Sequence, residues 1–222
     1  MIASSQRWRA RAAAVVLVAA TAACAPLEQV ELTVGRWFAG PGPATVPLAR
    51  PPAPIGDPGT PVAGSFAVHD LLSGERRAFA VARLGSDAVR VRESDGCVWT
   101  RWGDWFAPSD SWAGCGDSRN WHTGRATVRP LASIWPLELG AEGRYRRAAV
   151  SHTGRRDTRD TVCRVTDAVE VVRVGRTPTP AFVVDCDDGK RVRTTWYAAG
   201  EGPVAFRQVH RGKGVEDAWV RR

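Results

Sequence analysis

Five of the ten tryptophans of the chain, Trp99, Trp102, Trp105, Trp112 and Trp121, crowd the stretch between Cys97 and Trp121. Each indole offers a wide apolar face and a single N–H donor. Exposed, such faces stack on sugar rings or acyl chains, so Trp99, Trp102, Trp105 and Trp112 are the candidate ligand-stacking residues. Turned inward, they fill a core that has only six Phe, two Tyr and one Met to draw on. Two cysteines bracket the stretch, and Gly103, Pro108 and Gly114 interrupt it. That favours packing, with most of the indoles plugging one end of a barrel.

The second reactive set is the five cysteines. Cys97, Cys115, Cys163 and Cys186 form an even set, for which three pairings exist. Cys97–Cys115 and Cys163–Cys186 are favoured because each closes a local loop, the second across adjacent strands joined by the Gly175 to Pro180 turn. Zinc is the competing use, but there is no Cys-x-x-Cys spacing, and an oxidising compartment favours disulfides. No metal site and no cofactor is expected.

Cys24 is left over. It follows Arg7, Arg9 and Arg11 and a charge-free run from Ala12 to Ala23, the order of a secretory signal. The run is too short to cross a bilayer, which takes about 20 apolar residues. Ala22-Ala23-Cys24 resembles a bacterial lipobox, although Thr21 stands where an aliphatic residue is usual. The resemblance implies a diacylglyceryl group and palmitate-type acylation on Cys24, and a lipoprotein held to the membrane of the cell envelope and facing the periplasm, with the outer membrane favoured. The alternative is cleavage near Ala20-Thr21-Ala22, which leaves a soluble periplasmic protein.

Catalytic patterns are thin. None of His69, His122, His152 and His210 sits in a metal or nucleophile motif. Ser151-His152 with Asp157 lacks the context of a nucleophile elbow, and Asp185, Asp187 and Asp188 straddle a turn without calcium-loop spacing. No catalytic residue is assigned, although a carboxylate pair assembled from distant strands leaves no local signature. The formal charge of +8 falls to +5 once Arg7, Arg9 and Arg11 are removed with the signal. The remaining arginines are scattered, which reads as a solvated surface with weak attraction for anionic headgroups or polysaccharide. Export takes the chain away from nucleic acid.

These residues need a frame. Residues 1–23 read as signal and 24–63 as lipid anchor and tether, with Val30 to Val34 strand-like and eight of the 15 prolines between Gly40 and Ala63. An arm lying on the domain is the other reading of that stretch. Residues 64–222 read as one all-β domain of antiparallel meander, curved into a sheet, half-barrel or barrel. Its halves, 64–138 and 139–222, are loosely alike, and each holds two cysteines. Strand-like runs cover Ser65 to Asp70, Arg77 to Leu84, Val89 to Glu93, Gly143 to Ser151, Asp160 to Val165, Val169 to Val174, Ala181 to Cys186, Arg191 to Tyr197, Val204 to His210 and Val215 to Arg221. Asp187-Asp188-Gly189 marks a hairpin. In Arg191 to Tyr197, Val192, Thr194 and Trp196 alternate with Arg191, Arg193 and Thr195, the pattern of a sheet buried on one face only.

The segments Arg176-Thr177-Pro178-Thr179-Pro180-Ala181-Phe182 and Thr194-Thr195-Trp196-Tyr197-Ala198-Ala199-Gly200-Glu201-Gly202-Pro203-Val204 resemble a group of uncharacterised β-rich periplasmic and lipoprotein domains. Those domains carry a Pro-Ala-Gly-x-Phe-like turn and a Trp-Tyr…Gly-x-Val hairpin. The resemblance covers Leu139 to Arg222, and departs from the pattern at Thr179-Pro180-Ala181 and at Ala199. It implies a curved antiparallel sheet with no established chemistry, similar in shape to lipoprotein carriers whose open barrels hold acyl chains. Two functions are expected from different classes. The first is a non-enzymatic envelope module that binds a lipid or glycan or docks on another envelope protein. The second is an envelope hydrolase acting on a cell-wall or lipid substrate.

Overall fold

A computed structural model of the protein describes residues 40–57, 63–115 and 118–222. They form thirteen strands and no helix: β1 Thr45–Pro47, β2 Gly64–Asp70, β3 Arg76–Arg83, β4 Ala88–Glu93, β5 Val98–Trp102, β6 Ser111–Ala113, β7 Gly124–Ala132, β8 Glu142–Ser151, β9 Arg156–Val171, β10 Thr179–Asp187, β11 Arg191–Ala198, β12 Gly202–His210 and β13 Gly214–Arg221. From β2 to β13 every strand pairs antiparallel with its neighbour in sequence. The meander closes where β13 meets β2 through Trp219↔Asp70, Val220↔His69 and Arg221↔Val68. The result is a closed twelve-stranded barrel, with six strands from each of the segments 64–138 and 139–222. Closure removes the free sheet edges that an open meander would expose.

Local chemistry sets the hairpins. Between β10 and β11, Asp187 Oδ1 accepts from Gly189 N–H at 2.8 Å, while Asp188 Oδ1 accepts from Lys190 N–H at 3.0 Å and Arg191 N–H at 2.8 Å. Gly189, at φ 81°, supplies the left-handed residue the turn needs. The sequence suggests separate strands over Asp160 to Val165 and Val169 to Val174, but the first run and Val169 to Val171 belong to the single sixteen-residue β9, and Val172 to Val174 lie beyond its end. Val183 lies opposite Asp167 and Val184 opposite Val165, so Thr166 is an extra, bulged residue. The bulge shifts the inward phase, with Val165 and Ala168 both joining the main core.

Strand β9 also explains the proline-rich arm. Its first part pairs with β8, from Val150↔Arg156 to Glu142↔Arg164. Beyond the start of β8 the same edge is taken by β1, through Thr45↔Val171, Val46↔Glu170 and Pro47↔Val169. An edge position tolerates Pro47, which has no N–H to donate. Further along, Ile55 and Leu137 exchange backbone hydrogen bonds at 2.8 and 3.0 Å. Residues 40–57, drawn from the stretch expected to act as a tether, are therefore hydrogen-bonded to the barrel. Val30 to Val34 lies outside the described residues.

The main core is the barrel interior. It is built from inward residues such as Val68, Phe79, Val91, Tyr145, Phe182, Val184, Tyr197 and Trp219. A smaller cluster, including Val183, Trp196, Ala205 and Val220, occupies the opposite face of the later strands. Arg191 to Tyr197 is thus buried on both faces, not on one: Thr194 and Trp196 lie on the outer face, and Thr195 and Tyr197 on the inner.

Both favoured disulfides are present, Cys97–Cys115 and Cys163–Cys186. Cys163 and Cys186 are directly opposite on β9 and β10. Replacing both with Ala should lower stability to unfolding by about 3 kcal/mol, from the entropy regained by the unfolded loop. Urea denaturation of the double variant against the oxidised wild type checks this, and equal midpoints would show that the bridge does not constrain the unfolded chain.

Candidate functional site

The lumen is the part of this fold in which functional side chains converge. It is closed in part by the loop between β5 and β6, whose Trp105, Phe106 and Ala107 are buried. The Phe106 ring lies 5.5 Å from both Trp135 and Tyr197. Asp104 anchors this plug. Its carboxylate accepts from the Phe106 N–H at 2.6 Å and from the Tyr145 hydroxyl. Burial raises the Asp104 pKa, and the Tyr145 hydrogen bond partly offsets that.

Three arginines project into the same interior. Arg101 on β5 is opposite the buried Val89, Arg147 on β8 is opposite Val128, and Arg193 on β11 is opposite Cys186. Arg101 sits 4.6 Å from the ring centre of Trp99 and 5.1 Å from that of Trp105, and it donates to the Trp105 carbonyl. Arg147 lies 4.5 Å over Trp112. The Nε–H groups of Arg101, Arg147 and Arg193 are buried and have no acceptor among the described residues. Burial, and then the nearby charge of Arg193, push Arg101 down to about 9 and Arg147 down to about 10. Burial lowers Arg193 as well. A fourth interior arginine, Arg159 on β9, is neutralised by Asp157 at 2.7 Å and Asp188 at 3.7 Å.

A second polar group lies across the closure. Arg77 pairs with Asp217 at 2.7 Å and Asp70 at 3.2 Å. Glu93 accepts from Trp99 Nε1 at 2.9 Å. Burial pushes the Glu93 carboxyl up to about 7, and the charges of Asp217 and Asp95 add to the shift against the pull of Trp99 and Arg77. Burial also raises Asp217.

The four sequence-nominated tryptophans take different positions. Trp105 is buried and belongs to the plug. Trp99 is half-buried against it, with ring centres 5.6 Å apart. Trp112 is half-buried, donates to the Trp121 carbonyl at 2.7 Å and stacks on that indole. Its ring lies flat on Gly124, where an added Cβ would meet Trp112 Cζ2 at 2.4 Å. Trp102 is 59 % exposed on the outer face. The indoles of Trp99, Trp105 and Trp112 are brought together with the arginines, and Trp102 is not. The lipidation candidate Cys24 lies outside the described residues.

The interior arginines, Asp104–Tyr145 and Glu93 were not singled out from the sequence. Their sole trace is Arg or Glu at alternate positions inside otherwise apolar strands, which reads equally well as a solvated face. Outside the barrel, Arg173, Arg176, Pro178, Pro180 and Glu201 line an open depression of about 550 Å³, where Arg173 is already paired with Glu201 at 2.9 Å. Among the described residues no three His, Cys, Asp or Glu are grouped as a metal site would require. No protein-family model, no curated protein and no solved structure matches the chain.

Packing and stacking separate on mutation. Trp105→Ala should cost about 3–5 kcal/mol, because a large core group leaves a cavity, whereas Trp102→Ala should stay within about 0.5 kcal/mol. Denaturant unfolding of both variants checks the contrast, and comparable losses would place Trp102 in the packed set. Glu93 gives a signed pH effect. The unfolded chain releases this proton near the ordinary value of 4.5 and the folded chain near 7, so the folded state loses stability as pH rises through that window. The difference in thermal midpoint between Glu93→Gln and wild type should therefore grow in favour of the variant from pH 4.5 to pH 7. A difference independent of pH would mean that Glu93 ionises freely.

Proposed function

We propose that this chain is an exported lipoprotein, anchored through Cys24 to a membrane of the cell envelope, whose barrel binds a ligand without transforming it. The observation that carries the binding reading is the lumen, where fixed indoles and arginines face one interior. Ligand sites commonly combine apolar walls with a few convergent polar groups. The resemblance of Leu139 to Arg222 to β-rich periplasmic and lipoprotein domains supports the address. So does the basic, charge-free, small-residue order of residues 7–24. A lipid or glycan is the class of ligand that indole faces suit best. Docking on a second envelope protein is compatible with the same anchor.

The hydrolase reading draws on one observation. Glu93, pushed up to about 7, and Asp217, also raised, are half-buried carboxyls that share the neighbourhood of Arg77, the kind of tuning a general acid needs. Both are engaged with Trp99 and Arg77, so a structural role accounts for them equally. The binding reading is the stronger because it uses Trp99, Trp112 and the arginines together.

Expressed in a Gram-negative host, the full chain should fractionate with membranes and incorporate labelled palmitate, and Cys24→Ser should abolish the label and release the protein. Wild type recovered wholly soluble, with Cys24 removed, would overturn the anchor. Quenching of tryptophan fluorescence by acyl lipids or glycan fragments tests the binding half on the same preparation.

A further inference from the structure

Arg101, Arg147 and Arg193 come from three different strands and meet in one interior, with like charge reaching from Arg193 to both others. Buried guanidinium groups ordinarily sit against carboxylates, because an unpaired charge in a low-dielectric interior is costly. Here the hydrogen bonds of the nearby acids go elsewhere, although Asp188 is the leading attractive charge on Arg193 and, with Asp157, also acts on Arg147. Asp157 and Asp188 pair with Arg159, and Asp188 also accepts two turn N–H groups. Asp104 holds Tyr145 and the plug. Among the described residues the Nε–H groups of Arg101, Arg147 and Arg193 have no acceptor, and Arg101 donates another N–H to the Trp105 carbonyl.

Indole faces hold Arg101 and Arg147 in place while leaving N–H edges unused. A planar fork of donors fixed in this way is matched to an oxyanion, which can accept from two or three guanidiniums at once. All three residues are half-buried.

We propose that Arg101, Arg147 and Arg193 form an anion site in the barrel lumen that takes the phosphoryl oxyanion of a small ligand. The assignment rests on the binding reading above and names the charge its ligand carries. Phosphoryl chemistry has two sources here, a free or soluble phosphate and the headgroup of an amphiphile whose chain would run along the indoles. Three guanidiniums whose buried Nε–H donors are unused suit a phosphoryl group, whose several oxygens can accept from more than one of them.

The test uses the purified full chain in low-salt, phosphate-free buffer, with thermal shift and tryptophan fluorescence as readouts. The probes are inorganic phosphate, dodecyl phosphate and the neutral dodecyl maltoside, each below its micelle concentration where one applies. Wild type should be stabilised by inorganic phosphate or by dodecyl phosphate, with affinity at least tenfold weaker in Arg193→Gln and in Arg147→Gln. Response to inorganic phosphate assigns the soluble source. Response to dodecyl phosphate with no effect of inorganic phosphate assigns the headgroup.

Without any anion, Arg193→Gln should melt no lower than wild type, because it removes a buried charge whose Nε–H has no acceptor and which no carboxylate among the described residues meets at ion-pairing distance. An arginine serving only to pack would melt lower on the same change. Arg193→Met supplies the same comparison should the Gln variant fold poorly. Equal affinity for dodecyl phosphate and dodecyl maltoside, unchanged in the arginine variants, would overturn the anion site and leave the binding reading standing. No response to any of the three probes or to glycan fragments would overturn both.

Discussion

Barrel closure is the constraint from which the rest of this structure follows. An eight-stranded barrel has an interior that side chains just fill, and diameter grows with strand number. Twelve strands enclose more volume than inward valines and phenylalanines can occupy. The chain answers with material from outside the strands. Trp105, Phe106 and Ala107 come in from the loop after β5, and Ile134 and Leu137 from the loop before β8. Gly143 makes room for the second loop, since a Cβ there would meet Ile134 Cβ at 2.7 Å. The bulge at Thr166 and the arm strand β1 belong to the same problem, because an over-long β9 must bend around the barrel and cannot leave its overhanging edge bare.

What apolar side chains do not fill, charged ones line. The inner face carries Arg77, Arg101, Arg147, Arg159 and Arg193 beside Asp70, Asp104, Asp157 and Asp217, arranged unevenly. Around Arg77 and Arg159 the charges are matched at hydrogen-bonding distance. Around Arg101, Arg147 and Arg193 they are not. A fold stabilised only for its own sake would place Leu or Met in such positions, since replacing buried charge with well-packed apolar groups is often neutral or stabilising. That mismatch is the observation on which the proposed anion site rests.

The class of fold was legible because alternation, turn residues and cysteine parity agree. Asp187-Asp188-Gly189 sits at its hairpin, and the local-loop rule chose the correct pairs among the cysteines. The β5–β7 region was not read as strands, because Gly103, Pro108 and Gly114 break the alternation and the indoles serve both lumen and plug. Face assignment failed where it mattered most. In Arg191 to Tyr197 the apolar residues Val192 and Trp196 suggested the core side, yet Arg193 faces inward. A wide barrel reverses the usual inference, because a lined lumen is polar in part while the outer wall of β10–β13 buries Trp196. Single-strand periodicity cannot report this. It becomes visible only when Arg193 is seen to act across the interior on Arg147 and Arg101, which come from strands that do not pair with its own.

The account is tested most directly by a crystal structure of the full chain grown or soaked with selenate, an oxyanion of phosphate's shape whose anomalous signal identifies it. The account predicts an ordered selenate inside the barrel, accepting hydrogen bonds from at least two of Arg101, Arg147 and Arg193. A lumen in which those guanidiniums are paired with protein carboxylates, or turn out of the barrel, with no anion between them, would contradict it.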